Sequence, residues 1–199
     1  RSPASAVTGQ AHRLSVRALD KWGNTDENYA GSVALNANLA VDGLPEAAAF
    51  QASDRGVIEI DEVVPTAAGD LVFTATGEAP TVTCESNPVR CTEAPEEFGL
   101  FWGDFHGQSR ESVGTISARD YILYARNDAA VDFVGHQAND FQITNDFGAE
   151  LQGLMQEFHD PGRFVTFLGY EWSGISQTGG DRNVHFLGDS GEIRRSSHA

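Results

Sequence analysis

The sequence predicts a chain of two parts, a β-sandwich followed by an α/β domain. Three observations predict it. Apolar residues recur at every second position from Ala11 to about Cys84, the period of strands with one buried face. After about Leu100, short apolar runs alternate with stretches of helical spacing, an order that gives parallel strands joined by right-handed crossovers. Between the two, Glu85 to Phe98 places Pro88 and Pro95 among acidic residues and has the composition of a linker or edge segment. The expected domains are 1–84, a linker at 85–98, and 99–199.

In the first part, Leu14, Val16 and Ala18 alternate with Arg13, Ser15 and Arg17, and Asp20-Lys21-Trp22-Gly23-Asn24 supplies turn residues. Ser32 to Leu35, Val57 to Val63, Leu71 to Thr76 and Thr81 to Cys84 are further candidate strands. Short strands at this spacing imply a sandwich. The run Arg17 to Asn24 resembles bacterial immunoglobulin-like repeats, whose second strand often ends in a similar turn. That resemblance implies an immunoglobulin-like spacer, adhesive unit or brace without a catalytic role.

In the second part, Leu100 to Phe105 reads as a buried strand. Ser117 caps a helix running to about Arg126, with Asp120 at the capping-box position. Val131 to Gly135 is the next strand. Asn145 is the expected cap of a helix whose Phe147, Leu151, Leu154, Met155 and Phe158 share one face, and Asp160-Pro161-Gly162 ends it. Phe164 to Gly169 and Asn183 to Phe186 complete the expected strands.

Composition bounds the function. With 40% hydrophobic residues, 12 Phe and 3 Trp, the chain can bury a core. The 29 acidic against 13 basic residues leave a net charge of -16, which argues against a nucleic-acid partner because phosphate binding rests on clustered Lys and Arg. The same charge repels anionic substrates unless a local cationic site, such as a divalent metal, overrides it; it also serves simply to keep the surface soluble. No run approaches the roughly 20 apolar residues of a membrane span, so no membrane partner is expected. A start at Arg1 rather than Met implies that an upstream segment has been lost. Cys84 and Cys91 are too few for a zinc site and read either as a hairpin-spanning disulfide or as two free thiols. The sequence leaves the compartment open.

The chemistry is expected at the carboxyl ends of the second-part strands, where parallel sheets and barrels assemble active sites. Asp104 and His106 follow the first strand, His136 the second and Glu171 the third. Two imidazoles and a carboxylate suit zinc, manganese or iron. A single His there is more often a hydrogen-bonded structural residue and a lone Glu a solvated cap; three in register are less easily dismissed.

The segment Trp102-Gly103-Asp104-Phe105-His106-Gly107-Gln108-Ser109 resembles the opening motif of the PHP superfamily, named for polymerase and histidinol phosphatase domains, in which a strand ends in His-x-His. The run Phe164 to Ser173 is similar to that superfamily's third-strand motif, whose Glu can bridge two metals. With Arg182-Asn183-Val184-His185-Phe186 downstream, the likeness is to a bacterial PHP-like branch. The resemblance implies a distorted (β/α)7 barrel, of which 99–199 is the first part, and metal-dependent hydrolysis of phosphoesters. Gln108 stands where the superfamily has its second His, so it counts only as a weak ligand. Asp104 is either a ligand or a residue orienting His106. Gly135-His136-Gln137 replaces the usual Asp-His pair, so against the superfamily's pattern one or two metals are expected rather than three. The resemblance also implies that the remaining C-terminal polypeptide of a cleaved protein, or a second chain, completes the barrel, and that 1–199 alone is inactive.

Asp140 is the candidate catalytic base, weighed against a surface carboxylate at a helix entry. Arg182, Arg194 and Arg195 are candidates for an anionic group of a small-molecule substrate, although Arg194 to His198 is equally a tail. The Gly-rich Ser173 to Gly180 loop is expected to cover the site. Hydrolysis of an amide or carboxylic ester is a second expectation, and a non-catalytic scaffold with a degenerate metal site a third.

Overall fold

The computed structural model describes residues 1–78, 81–174 and 179–196. They form two compact units, Arg1–Phe101 and Trp102–Ala199. In the first unit the strands are β1 (Ser5–Val7), β2 (His12–Arg17), β3 (Ser32–Ala37), β4 (Val41–Asp42) and β5 (Ala47–Ala49), then β6 (Val57–Pro65), β7 (Gly69–Leu71), β8 (Phe73–Glu78), β9 (Thr81–Glu85) and β10 (Val89–Thr92). They assemble as three small sheets in the orders β1-β10-β7, β2-β6-β4 and β5-β3-β8-β9.

Period-two patterning explains the burial along β3, where Val33 and Leu35 are buried and Ser32, Ala34 and Asn36 are exposed. The turn at Asp20 closes on its own carboxylate. Its Oδ1 accepts the backbone N–H of Trp22 at 2.8 Å and of Asn24 at 2.9 Å, and Gly23 takes a φ of 87° that a side chain would resist. Within the segment read as a linker, Val89–Thr92 is the central strand of its sheet, and Val89 and Cys91 join Leu14, Val63, Leu71 and Phe73 in one buried cluster. Cys84 and Cys91 are both free thiols, Cys84 exposed on β9 and Cys91 buried on β10.

The second unit holds β11 (Gly103–Gly107), α1 (Ala118–Leu123), β12 (Phe133–His136), α2 (Asn145–Phe158), β13 (Val165–Phe167), β14 (Gly169–Trp172) and β15 (Arg182–His185). A π-helical turn at Tyr124–Asp128 continues α1. Ser117 caps α1 by accepting from the N–H of Asp120, and Thr144, one residue before the expected Asn145, caps α2 by accepting from Phe147. The apolar face of α2 buries Phe147, Leu151, Leu154, Met155 and Phe158 with Ile122, Val134 and Phe164. A fully buried side chain of this size contributes about 1.5–3 kcal/mol relative to exposure.

The fold class expected from the sequence is corrected here. The described residues are mostly strands in five small sheets with two short helices, and they form no part of a (β/α)7, TIM-like barrel. Strands β11, β12 and β13 pair in parallel, but the series stops there. Leu168 separates β13 from β14, and β14 pairs antiparallel with β15 in a sheet of its own. The physical reason is the connection. A parallel return needs a crossover of a dozen or more residues, usually a helix, whereas only the short Gly- and Ser-rich stretch from Ser173 to Asp181 joins β14 to β15. Leu100, Phe101, Trp102 and Phe105, expected inside a buried first strand, are exposed, and that strand begins at Gly103.

Candidate functional site

The first strand of the second unit is held by its alternate residues. Phe105 joins an aromatic cluster, with ring centroids 4.4 Å from Phe133, 5.0 Å from Phe167 and 4.9 Å from His185. Asp104 braces the end of the strand. Its Oδ1 accepts the backbone N–H of His106 at 2.7 Å, and its Oδ2 accepts the Tyr121 hydroxyl at 3.0 Å. Burial, then the Asp104 charge, pushes the Tyr121 phenol upward, so it remains a proton donor at neutral pH. Asp104 is thus occupied in orienting His106.

His106 and Glu171 are brought together. Nε2 of His106 lies 3.8 Å from Oε2 of Glu171, with the imidazole half exposed and the carboxylate mostly buried. The other imidazole nitrogen, Nδ1, lies 3.0 Å from Oδ1 of Asn183. Glu171 Oε2 also accepts from Asn139 Nδ2 at 3.0 Å and from Gln108 Nε2 at 3.3 Å. Burial raises the Glu171 pKa, the His106 imidazole opposes that rise, and Asp181 adds to it. Gln108 therefore meets the pair as an amide donor, its Oε1 being taken by Ser112 Oγ.

His136 is not part of this arrangement. It is fully buried within β12, in register with Gly107, and its ring packs against Tyr121 and Phe147. The Ala138 N–H donates to its Nδ1 at 3.3 Å, so the proton sits on Nε2, which meets Ser109 Oγ at 2.8 Å. Burial lowers its pKa to about 4, against a smaller opposing effect of Glu111. Both ring nitrogens are committed to the fold. The residue past the end of β12 that does reach the pair is Asn139, which bridges Glu171 and Ser173 Oγ.

The three-ligand set of His106, His136 and Glu171 is corrected accordingly. Among the described residues no group of three or more His, Cys, Asp or Glu is placed to hold a metal ion. What remains is a two-donor arrangement. The His106 and Glu171 donors face one another, so they can serve one cation at most, and the N–H groups of Asn139 and Gln108 present their positive ends to the same Glu171 oxygen.

Asp140 is fully buried, and its oxygens accept the backbone N–H of Ser173 at 3.1 Å and that of Ser196. Its own carbonyl accepts from the Arg195 guanidinium. A carboxylate so engaged ties three segments together and is not presented to a substrate. Arg194 donates its backbone N–H to the Tyr170 hydroxyl at 3.2 Å. Arg182 is exposed at the start of β15, one residue from Asn183. Residues 175–178 of the Ser173 to Gly180 loop, together with Ser197 and His198, lie outside the described residues.

With this geometry in place, comparison with known proteins adds a narrow likeness. The chain is similar to an uncharacterized protein of Chlamydia pneumoniae, 26% identical over 101 residues. That stretch is 50% of this chain and 16% of the other protein's length. No family model and no solved structure matches.

Sequence reasoning missed Asn139 and Asn183 as members of the site. Asn139 was signalled only by its place three residues after His136, and Asn183 by its neighbour Arg182 in a short polar-apolar run. Neither amide is a conventional ligand, so residue type gave no lead.

Proposed function

We propose that the second unit is the hydrolytic part of a phosphoesterase, organised on the His106–Glu171 pair with one divalent cation as cofactor. The observation that carries this reading is the approach of His106 Nε2 to Glu171 Oε2 at 3.8 Å. Two lone-pair donors that face each other at this distance form a seat for a cation, which each of them attracts. Two ligand atoms about 2.0–2.2 Å from one metal are separated by a little less than this distance. A divalent cation at such a site supplies Lewis acidity and lowers the pKa of a water to about 7. His106 and Glu171 would hold it, Asn139 and Gln108 keep the carboxylate from turning away, and Asp104 fixes the backbone of His106. Arg182, on the strand that carries Asn183, is the group for a substrate phosphoryl oxygen. The cation also offsets, locally, the repulsion of an anionic ester by a chain of net charge -16.

The test is a panel of phosphomonoesters, phosphodiesters, carboxylic esters and amides, assayed with and without chelator. Chelator-sensitive turnover of a phosphoester, lowered about 10²–10⁴-fold in Glu171→Gln, is expected. Turnover of amides or carboxylic esters in place of phosphoesters reassigns the substrate. Titration with Mn²⁺, followed by water-proton relaxation, gives a second readout, and its absence in His106→Ala is expected. No Mn²⁺ binding and no turnover in the wild type would leave a scaffold domain and sink the proposal.

A further inference from the structure

Glu171 and Asn183 face one another on a single rung of the antiparallel β14–β15 pair. The Asn183 side chain meets His106 through its carbonyl oxygen, Oδ1, 3.0 Å from Nδ1. A carbonyl oxygen only accepts, so the imidazole proton belongs on Nδ1. Nε2 then carries the lone pair, on the side turned toward Glu171. In an imidazole, the hydrogen bond at one nitrogen decides what the other can do.

We infer that Asn183 is the positioning residue of this site. It fixes the tautomer of His106 so that the Nε2 lone pair is directed at Glu171, and because it shares a rung with Glu171, the hairpin sets both halves of the pair at once. The inference rests on the reading of the His106–Glu171 pair as the working centre. It adds that the return strand β15, which contributes no charged ligand, governs that centre through a neutral amide. Residue-type patterns do not mark such a role: an Asn at the start of a polar strand is ordinarily a solvated edge residue.

The test uses the whole chain after chelator treatment, with long-range proton–nitrogen NMR of the His106 imidazole. The wild type is expected to carry its proton on Nδ1. Asn183→Leu keeps the size of the side chain, removes the acceptor and should move the proton to Nε2 in part or whole. It should also weaken Mn²⁺ binding about 10–100-fold, the usual effect of losing a residue that orients a ligand. Asn183→Asp retains the acceptor and should retain the Nδ1–H form, which a role in strand packing alone does not explain. A wild-type imidazole protonated on Nε2 overturns the inference, and that spectrum decides even if Asn183→Leu fails to fold. An unchanged tautomer in a folded Asn183→Leu, or a changed tautomer with unchanged Mn²⁺ affinity, overturns it as well. Failure of every ester and amide to react refutes the hydrolase reading but leaves the tautomer result standing, so the two failures are distinguishable.

Discussion

The two units bury imidazoles in opposite ways. In the first, His12 sits on β2 against Phe73, ring centroids 6.0 Å apart, and neither of its buried ring nitrogens has a hydrogen-bond partner among the described residues. In the second, His136 is buried as deeply as any core residue but has both nitrogens bonded, to Ala138 and Ser109. The half-exposed His106 is the imidazole left with a nitrogen facing a carboxylate. Burial alone therefore does not mark a working histidine; what matters is whether the surrounding polar groups consume both nitrogens or leave one directed outward. In the second unit the surrounding amides and hydroxyls consume those of His136 and direct one of His106.

The contrast can be broken most severely through the apolar cluster beneath it. Phe164 is fully buried among the residues packed by α2, and Phe164→Ala should cost about 3–5 kcal/mol. Hydrogen exchange should show amides of β12 and β13 losing protection, whereas those of β2 and β6 keep it. Equal loss in both units would mean that the clusters are not separate.

Acid should discriminate next. The folded pKa of His136 is about 4, below the unfolded 6.5, so the unfolded chain takes up the proton first. The neutral form stabilises the fold fully above pH 6.5, and the contribution is lost as pH falls from 6.5 toward 4. The total is on the order of 3 kcal/mol. Urea midpoints of the second unit at pH 7 and pH 4.5 should fall further for wild type than for His136→Ala. The same variant should bind Mn²⁺ as the wild type does once folded. A loss of binding would return His136 to the site.

Much of this was legible in sequence, and the gaps have physical causes. The caps at Ser117 and near Asn145, the apolar face of α2 and the alternation of β3 are local patterns, and local patterns survive folding. His136 misled because it ends an apolar run, and a run shows where a strand is without showing that the strand continues through its last residue; His136 is still paired with Gly107. Asp140 misled because a carboxylate near a site looks the same in sequence whether it faces solvent or two backbone N–H groups. The strand Val89–Thr92 was hidden by acidic and proline neighbours, since only Val89 and Cys91 point inward. The barrel came from a resemblance of motifs, and motifs specify strand ends rather than what the next strand pairs with.

A smaller effect tests how His106 is aimed. Tyr121→Phe removes the hydroxyl that holds Asp104 and should cost about 1 kcal/mol. It should lower hydrolysis without abolishing it, because the backbone N–H of His106 still binds Asp104. Abolished turnover in a folded variant would assign the phenol a direct part in the reaction.

The smallest effect belongs to the first unit. Burial lowers the His12 pKa, so below pH 6.5 the unfolded state gains protons before the folded one and stability declines. His12→Leu removes two unpartnered buried atoms and should raise the thermal midpoint of the first unit, by more at pH 5 than at pH 7. An equal rise at both would show that packing, not protonation, is what the imidazole disturbs.

Glu171 and Asn183 occupy one rung of a hairpin whose connecting residues carry neither of them. The separation of these two side chains is therefore a property of the ladder, set by the pairing that runs from Gly169 with His185 to Trp172 with Arg182. The ends of the connection are tied to the same place, since Ser173 accepts from Asn139 and Asp181 acts on the Glu171 carboxyl, so the hairpin fixes the spacing of the pair from the strands while its first and last connecting residues tune the charge beside it.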